Sequence, residues 1–471
     1  MTGANALRWP DARLSWTLYA LAALSFATTL ALPYVGEEGI YTIAAMEMKL
    51  RGDYVINTLY GTNHGQPPLL NWLIIPLADA IGWEHVLVAS RLVAASATIA
   101  TGLVLAWLAG TLTQDRRFAA FAALIYLTSD ALLYHGWIAY TYPLFAFFTF
   151  AAIACLWTAT VRKSMALAWV AAAAISCAAL TKGQSAIAFY AVTAMVLLGR
   201  RELRGVLLRP GVIVPHVAAG VLYIVWHQHL IGNAQQSMDM ATAMEKFRAF
   251  ELRTYLHQLW WFPLESALRF VPASALAAYC WWRRETTGPN APALEAHVST
   301  CAWIASLNFL PYWLWPNTGI RYVMPLYPLA ALLLAYALRR HGATRMRLVV
   351  HCLIATILFK YAAALWFFPA YQREFRGDQR VVAAEIEALS RGHALYATDV
   401  SATGLGVAAY IDAHRFPQQP VQWPPREWRS GFVLSHDADP AQGRVFREFP
   451  LGRQALYLLC RGVACEPRSA P

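Results

Sequence analysis

Residues 86–113 read VLVASRLVAASATIATGLVLAWLAGTLT, a long and almost uninterrupted apolar run. A bilayer core requires about 20 apolar residues for each helical crossing, so this run predicts a membrane-spanning helix. The rest of the chain is similar in character: of its 471 residues, 58% are hydrophobic and 14% are charged. The mean hydropathy is +0.39. These values exceed those of a soluble globular domain and indicate a membrane protein.

Apolar runs of comparable length recur along most of the chain, and we count about eleven of them. They lie near residues 16–33, 86–113, 118–134, 138–160, 164–180, 184–199, 211–231, 257–282, 298–315, 321–338 and 348–368. The predicted fold class is therefore mostly α, a polytopic bundle of transmembrane helices.

The basic residues between these runs indicate an orientation. With the N-terminus in the cytoplasm, about sixteen Lys and Arg residues lie inside and about seven lie in the short outer loops. A crossing by residues 67–83 would reverse this asymmetry, so we expect that segment to lie at the outer interface. Residues 34–85 then form a long external loop, and the first run is expected to be a retained anchor.

The composition becomes polar after about residue 370, and strand-like runs occur at 394–398, 431–435 and 455–460. We expect residues 1–369 to form a transmembrane domain and residues 370–471 a small α/β domain. Eleven crossings place that second domain outside the cytoplasm. An oxidising compartment there would allow a disulfide between Cys460 and Cys465, but two cysteines alone do not establish one.

Two functional classes are disfavoured by the pattern of residues. The net charge of +11 comes from short clusters between apolar runs, which are topology signals, so we expect no nucleic-acid partner. The other five cysteines lie in apolar segments without metal-ligand spacing, which excludes a zinc ribbon. We expect no required cofactor and no dedicated metal site, although a divalent cation at the carboxylates described next stays possible.

Adjacent carboxylates, Glu37 and Glu38, follow the first apolar run directly. Carboxylates at a membrane surface are costly to desolvate, so they face water, a cation or a reacting group. One of them is a candidate general base that accepts a proton from an acceptor hydroxyl or amine. The alternative is an ordinary solvated loop end, and the residues alone do not rank the two carboxylates.

Cations at the outer ends of spans are candidates for binding a lipid phosphate. Lys182 and Arg321 lie there, where positive charge is otherwise disfavoured, and Arg makes bidentate contacts to phosphate. Snorkelling to the interface is the alternative explanation. A further cluster of Lys246, Arg248 and Arg253 is interpreted as an ordinary solvated loop.

These features together resemble the GT-C glycosyltransferases related to protein O-mannosyltransferases and the lipid A aminoarabinose transferase. The resemblance covers residues 36 to about 338. Four places carry it in order: the acidic pair with Tyr41; Gly52-Asp53-Tyr54 through Gln66-Pro67-Pro68-Leu69 and Trp72; Pro143-Leu144-Phe145-Ala146-Phe147-Phe148; and Thr181-Lys182-Gly183 with Arg321-Tyr322-Val323-Met324-Pro325-Leu326-Tyr327-Pro328.

The resemblance implies an inverting transfer of a sugar from a polyprenyl (undecaprenyl) phosphate at the periplasmic face, to lipid A or another envelope acceptor. It implies Glu37 as the catalytic residue, with Glu38 beside it. Lys182, Arg321 and Gln66 are then expected at the donor phosphate. The residues expected to line the substrate cavity are Tyr41, Tyr142, Tyr322 and His64, although the residues alone describe His64 as an ordinary loop histidine.

The chain departs from the resemblance at two positions. Related proteins often have Lys before the Pro-Pro pair and an acidic residue before Pro-Leu, whereas this chain has Gln66 and Tyr142. The donor phosphate then depends more on Lys182 and Arg321. A non-catalytic transporter or binding protein for lipid-linked sugars is the alternative function, although the inverted repeats typical of transporters are not evident.

Overall fold

The structure is a computed structural model that describes residues 10–232, 251–283, 292–316, 318–341 and 345–466. It is mostly helical, as expected. The chain folds into two compact units, each built from segments that are distant in sequence. The first unit contains residues 1–27, 94–137 and 141–361, and the second contains residues 28–93, 138–140 and 362–471. The domain boundary at residue 369 stays a prediction.

The helices up to residue 232 are bounded by local signals. Asp115 and Ser164 cap two of them by accepting hydrogen bonds from backbone amides, and Gly52, with a φ of +65°, ends another in the left-handed conformation. These helices are α1 (Ala12–Leu24), α2 (Glu38–Arg51), α3 (Leu69–Ile81), α4 (Val86–Thr113), α5 (Arg116–Leu127), α6 (Asp130–His135), α7 (Thr141–Arg162), α8 (Met165–Lys182), α9 (Gln184–Leu198), α10 (Arg201–Leu207) and α11 (Pro210–Gly232). A short hairpin of β1 (Thr58–Leu59) and β2 (Thr62–Asn63) lies between α2 and α3.

The remaining helices complete the first unit and lead into the C-terminal domain. They are α12 (Leu252–Leu268), α13 (Ala273–Trp282), α14 (Pro292–Leu314), α15 (Tyr327–His341), α16 (Met346–Ala362), α17 (Phe368–Arg376), α18 (Gln379–Ser390) and α19 (Ala402–Arg415). A 3-10 segment, Ile320–Leu326, leads into α15.

Among the residues that the structure describes, six helical segments are long and apolar enough to cross a membrane, which agrees with a multi-pass membrane protein. They are Trp83–Thr113, Thr141–Arg162, Met165–Lys182, Pro210–Gln228, Ile320–Arg340 and Met346–Arg376. On α11, Leu222 is 68% exposed and Val225 is 59% exposed, as suits a helix that faces lipid. The count of eleven spans stays a prediction.

Helix α3 covers most of the segment expected at the outer interface. It has 13 residues and so extends about 20 Å, which is shorter than the hydrocarbon core. Trp72 at its start donates from Nε1 to the carbonyl oxygen of Tyr54, at 2.7 Å. The length of α3 supports the interpretation that this segment does not cross.

The C-terminal part forms the expected small sheet domain. Its strands are β3 (Leu395–Ala397), β4 (Gly431–Ser435), β5 (Arg444–Leu451) and β6 (Gln454–Arg461), in the order β3-β4-β6-β5. Strands β3 and β4 are parallel, and the other pairs are antiparallel. The sequence missed β5, because this edge strand is exposed over its first five residues and contains Pro450, so it lacks an apolar alternation. Cys460 and Cys465 are disulfide-bonded.

One buried carboxyl group in the second unit makes stability depend on pH. Asp412 is 3% exposed, and it accepts a hydrogen bond from the Val421 amide at 2.8 Å. Burial raises the pKa of Asp412 well above its usual value, and the negative charge of Glu47 adds to this effect. The folded protein therefore retains a proton that the unfolded chain loses as the pH rises.

We expect Asp412→Asn to remove this pH-dependent cost. Because the folded pKa is raised, the cost is absent below the unfolded pKa of about 3.9 and increases at higher pH. Asn retains an acceptor for the Val421 amide. The melting temperature of the full-length variant in detergent should rise by about 2–4 °C at pH 8 and change little at pH 4. Asp437→Asn, at an exposed carboxylate of the same domain, is the control. Equal shifts at both pH values would contradict the prediction.

Candidate functional site

A buried ion pair lies at the start of α2. Arg91 on α4 and Glu38 have fully buried side chains. Arg91 Nε donates to Glu38 Oε1 at 2.9 Å, and Nη2 donates to Oε2 at 2.5 Å. This two-point contact fixes the orientation of the carboxylate as well as its position.

Arg91 also holds the chain that precedes α2. Its guanidinium group donates to backbone carbonyl oxygens that lie just after the first helix, namely those of Thr29, Leu30, Leu32 and Pro33. Backbone carbonyls that are removed from water need hydrogen-bond donors, and in this irregular segment between α1 and α2 the guanidinium group supplies them. One arginine therefore anchors both the entry to the external loop and the first residue of α2.

Glu38 has the remainder of its acceptor capacity filled by backbone amides. Its Oε2 accepts from Val35 at 2.8 Å, and its Oε1 accepts from Ala139 at 2.9 Å. A carboxylate with a bidentate arginine and two amide donors at a fully buried position is poorly placed to take a proton from a substrate. Of the two carboxylates predicted as catalytic, Glu37 is therefore the one that stays accessible to a substrate.

Glu37 has an exposed side chain on a tightly held backbone. Its amide donates to the hydroxyl of Tyr140 at 2.8 Å, and that hydroxyl lies 3.5 Å from the carbonyl oxygen of Val35. Gly36 precedes it with a φ of +58°, and a Cβ there would overlap the Tyr140 hydroxyl. Glycine is the residue that tolerates both the positive φ and the close approach of the Tyr140 hydroxyl. The chain therefore turns sharply here and presents the Glu37 carboxylate at the surface.

His64 and Tyr41 lie in the same unit as Glu37. Burial lowers the pKa of His64, while the negative charge of Glu37 acts in the opposite direction, so the two side chains are electrostatic neighbours. His64 Nε2 is buried, and within the described parts of the chain it has no hydrogen-bond partner. Tyr41 is buried, with its ring centroid 5.9 Å from that of Tyr140.

Gln66 occupies the half-buried position before the Pro-Pro pair. Its backbone oxygen accepts from Asn57 Nδ2 at 3.3 Å, and Asn71 Nδ2 in turn bonds to Asn57 Oδ1. This buried amide network fixes the loop before α3. The role of the Gln66 side chain at a donor phosphate stays a prediction.

The first unit brings together the two cations that the sequence proposed for phosphate binding. Lys182 Nζ lies 4.1 Å from the ring centroid of Tyr142 and 5.8 Å from that of Tyr322. Arg321 Cζ lies 5.3 Å and 5.7 Å from the same two centroids. The two rings meet edge to face at 5.6 Å. Four of the predicted residues thus form one cluster, which we call the cation–tyrosine cluster.

Two further residues, His135 and Arg269, are electrostatic neighbours of this cluster. Burial lowers the pKa of His135 to about 4, and the charges of Arg269 and Arg321 act in the same direction. His135 is therefore neutral at physiological pH beside two guanidinium groups. Arg269 Nη2 forms an ion pair with Glu265 at 2.9 Å. Of the earlier loop cluster, Lys246 and Arg248 lie outside the described residues, and Arg253 is exposed on α12.

Sequence reasoning missed Arg91 and Tyr140. Arg91 is the one charged residue in the run 86–113, and a charge within a membrane span is a recognised signal of a structural or functional partner. Tyr140 had no such signal, because its role depends on a contact with residues more than one hundred positions earlier in the chain. Within the described residues, no group of three or more His, Cys, Asp or Glu side chains is arranged to hold a metal ion.

Breaking the Arg91–Glu38 pair should destabilise the protein. We expect Glu38→Gln to lower the free energy of unfolding by about 3–5 kcal/mol, because it leaves Arg91 as an uncompensated buried charge. The yield of monodisperse protein in detergent and its melting temperature measure this loss. Glu37→Gln is the matched control and should leave both unchanged. A Glu38→Gln protein as stable as the control would show that the pair is not structural.

Comparison with known proteins agrees with this architecture. The sequence model of the dolichyl-phosphate-mannose-protein mannosyltransferase family matches residues 50–241. No curated protein sequence matches this chain. The crystal structure of ArnT from Cupriavidus metallidurans bound to undecaprenyl phosphate superimposes with a TM-score of 0.68 at 13% identity, over 98% of this chain and 100% of that one.

The apo form of the same ArnT gives a TM-score of 0.65 at 14% identity, over 95% of this chain and 98% of the other. At such identities the likeness establishes the fold, and it extends over nearly the whole of both chains. The family match begins within the external loop, at the end of α2, and continues through the helices up to α11. The resemblance to the GT-C glycosyltransferases is therefore confirmed, and this chain has the ArnT-like GT-C fold with a stretch that matches the mannosyltransferase family.

Proposed function

We propose that this protein is an inverting membrane glycosyltransferase. It moves a sugar from an undecaprenyl or other polyprenyl phosphate to lipid A or another envelope glycan, at the periplasmic face of a bacterial inner membrane. The observation that carries the proposal is the contrast between adjacent carboxylates. Glu38 is buried in an ion pair that fixes the backbone, and Glu37 is exposed on that fixed backbone. A general base needs both a held position and access to its substrate.

In the proposed reaction, Glu37 and the two cations have separate roles. Glu37 accepts the proton of the acceptor hydroxyl or amine as that atom forms a bond to the anomeric carbon. The bond between this carbon and the donor phosphate breaks on the opposite face, which inverts the anomeric centre. The lipid phosphate leaves with the bonding electrons, and Lys182 and Arg321 stabilise its added charge. Attack by a neutral acceptor needs no metal in this scheme, and a divalent cation at Glu37 stays an alternative.

The cation–tyrosine cluster supports the role of the first unit in donor binding. Both cations lie near the ring of Tyr142 and are half-buried, so a phosphate can meet both charges together. The ArnT structure with the same fold contains undecaprenyl phosphate, which supports this class of donor. We further propose that Tyr142, Tyr322, Tyr41 and His64 line the substrate path and that Gln66 contributes a neutral donor near the phosphate.

Transfer should depend on Glu37. We expect Glu37→Gln to reduce kcat for sugar transfer by about 10²–10⁴-fold, because the amide cannot accept the proton. The assay uses membranes supplied with polyprenyl-phosphate sugars and measures glycan products by mass spectrometry. Glu84→Gln, at an exposed carboxylate in the same loop, should retain activity. Full transfer by a folded Glu37→Gln protein would favour the non-catalytic transporter or binding protein.

Donor affinity should depend on Arg321. We expect Arg321→Ala to weaken binding of undecaprenyl phosphate by about tenfold to a hundredfold, because charge-assisted hydrogen bonds to a phosphate contribute that much to affinity. Binding is measured in detergent micelles, and the KM for the acceptor should change less. Arg253→Ala removes an exposed arginine on α12 and serves as the control. Equal affinities of the two variants would contradict the phosphate role of Arg321.

A further inference from the structure

Helix α2, which begins directly after the proposed base Glu37, packs on the C-terminal domain. A methyl group at Gly39 of α2 would lie 2.5 Å from the carbonyl oxygen of Leu405 on α19 and 2.7 Å from its carbonyl carbon. The two helices therefore touch backbone to backbone, without side chains between them. Leu405 and Gly39 are both buried. Such a contact tolerates little displacement, because the atoms involved belong to the main chain.

A second contact holds the hairpin that follows α2. Tyr60 is 1% exposed and has a φ of +53°, a conformation that is uncommon for a residue with a side chain. Its hydroxyl donates to the carbonyl oxygen of Asp399 at 3.0 Å, and its own carbonyl oxygen accepts from the Trp423 amide at 2.8 Å. The side-chain hydroxyl and the main-chain carbonyl of Tyr60 are thus both bonded to the C-terminal domain. These two bonds compensate for the backbone strain at Tyr60.

Aromatic contacts join the same domain to both ends of the external loop. At the start of the loop, the ring of Tyr34 meets that of Tyr410 edge-on at 4.7 Å. At its end, Trp83 stacks on Phe416 at 4.3 Å. Aromatic pairs of this geometry contribute beyond their buried area. The external loop is therefore held by α19 and its neighbours at its beginning, its middle and its end.

We infer that the C-terminal domain positions Glu37 for the transfer reaction, with Leu405 and Asp399 as positioning residues. This inference rests on the proposed function. Glu37 directly precedes α2, which begins at Glu38, so the backbone contact at Gly39 lies within two residues of the base. A displacement of about 1 Å costs a catalytic group on the order of 10²-fold in rate. The domain thus acts on the rate of transfer through the position of α2, and it need not contact the sugar donor.

Two substitutions in the full-length protein test this inference. Gly39→Ala inserts a Cβ against the Leu405 backbone and should reduce kcat about a hundredfold. Tyr60→Phe removes the single bond to Asp399 and should reduce kcat about two- to tenfold. The donor KM should stay unchanged in both, because neither touches the cation–tyrosine cluster. Gly205→Ala on α10, where no atom lies within 4 Å of the added methyl group, is the control.

Hydrogen exchange separates positioning from general loss of structure. Amide exchange should become faster in α2 for both variants and should stay unchanged in α7, with melting temperatures close to that of the parent. If Gly39→Ala does not fold, Tyr60→Phe decides the question. Unchanged kcat and unchanged α2 exchange in a folded variant would overturn the inference, as would a parallel rise in donor KM. Transfer that survives Glu37→Gln would instead refute the proposed function, and α2 exchange would still show whether the domain holds the helix.

Discussion

The buried pair of Arg91 and Glu38 is the interaction on which the external loop depends. Removing two charges from water is costly, and it is compensated only when the geometry is good and the remaining donors and acceptors are satisfied. Here the guanidinium group has the carboxylate and four backbone carbonyls as partners, and the carboxylate has two additional amides. The pair thereby fixes the chain before α2, the first turn of α2 and the segment that contains Ala139.

The same pair explains why adjacent glutamates have different environments. Glu37 precedes the first turn of α2 and is not part of the helix, so Glu38 can face the protein while Glu37 faces solvent. The buried residue fixes the backbone, and the exposed one is the residue that we propose as the general base. Tyr140 and Gly36 complete the arrangement by fixing the amide and the backbone turn at Glu37. A carboxylate on such a support loses little entropy when it meets a substrate.

The second unit joins segments that are far apart in the chain. Residues of the external loop share a core with α19 and the C-terminal sheet, so neither segment is an independent module in its packing. Buried acidic groups such as Glu47 and Asp412 lie within this unit, and burial raises the pKa of both. Burial favours the protonated forms of these two side chains. The stability of the second unit should therefore fall as the pH rises.

The sequence by itself determined the membrane class, the helical fold, three of the four C-terminal strands and the acidic pair, because these features follow from local composition and periodicity. It also selected Lys182 and Arg321, since cations at span ends are conspicuous. The resemblance implied Glu37 as the catalytic residue, but only the tertiary structure showed that Glu38 is buried while Glu37 is exposed. Only the tertiary structure also revealed Arg91 and Tyr140 as their partners and placed the C-terminal domain against α2. These depend on contacts between residues tens to hundreds of positions apart, and burial at such contacts is a property of the packed chain that no local pattern encodes.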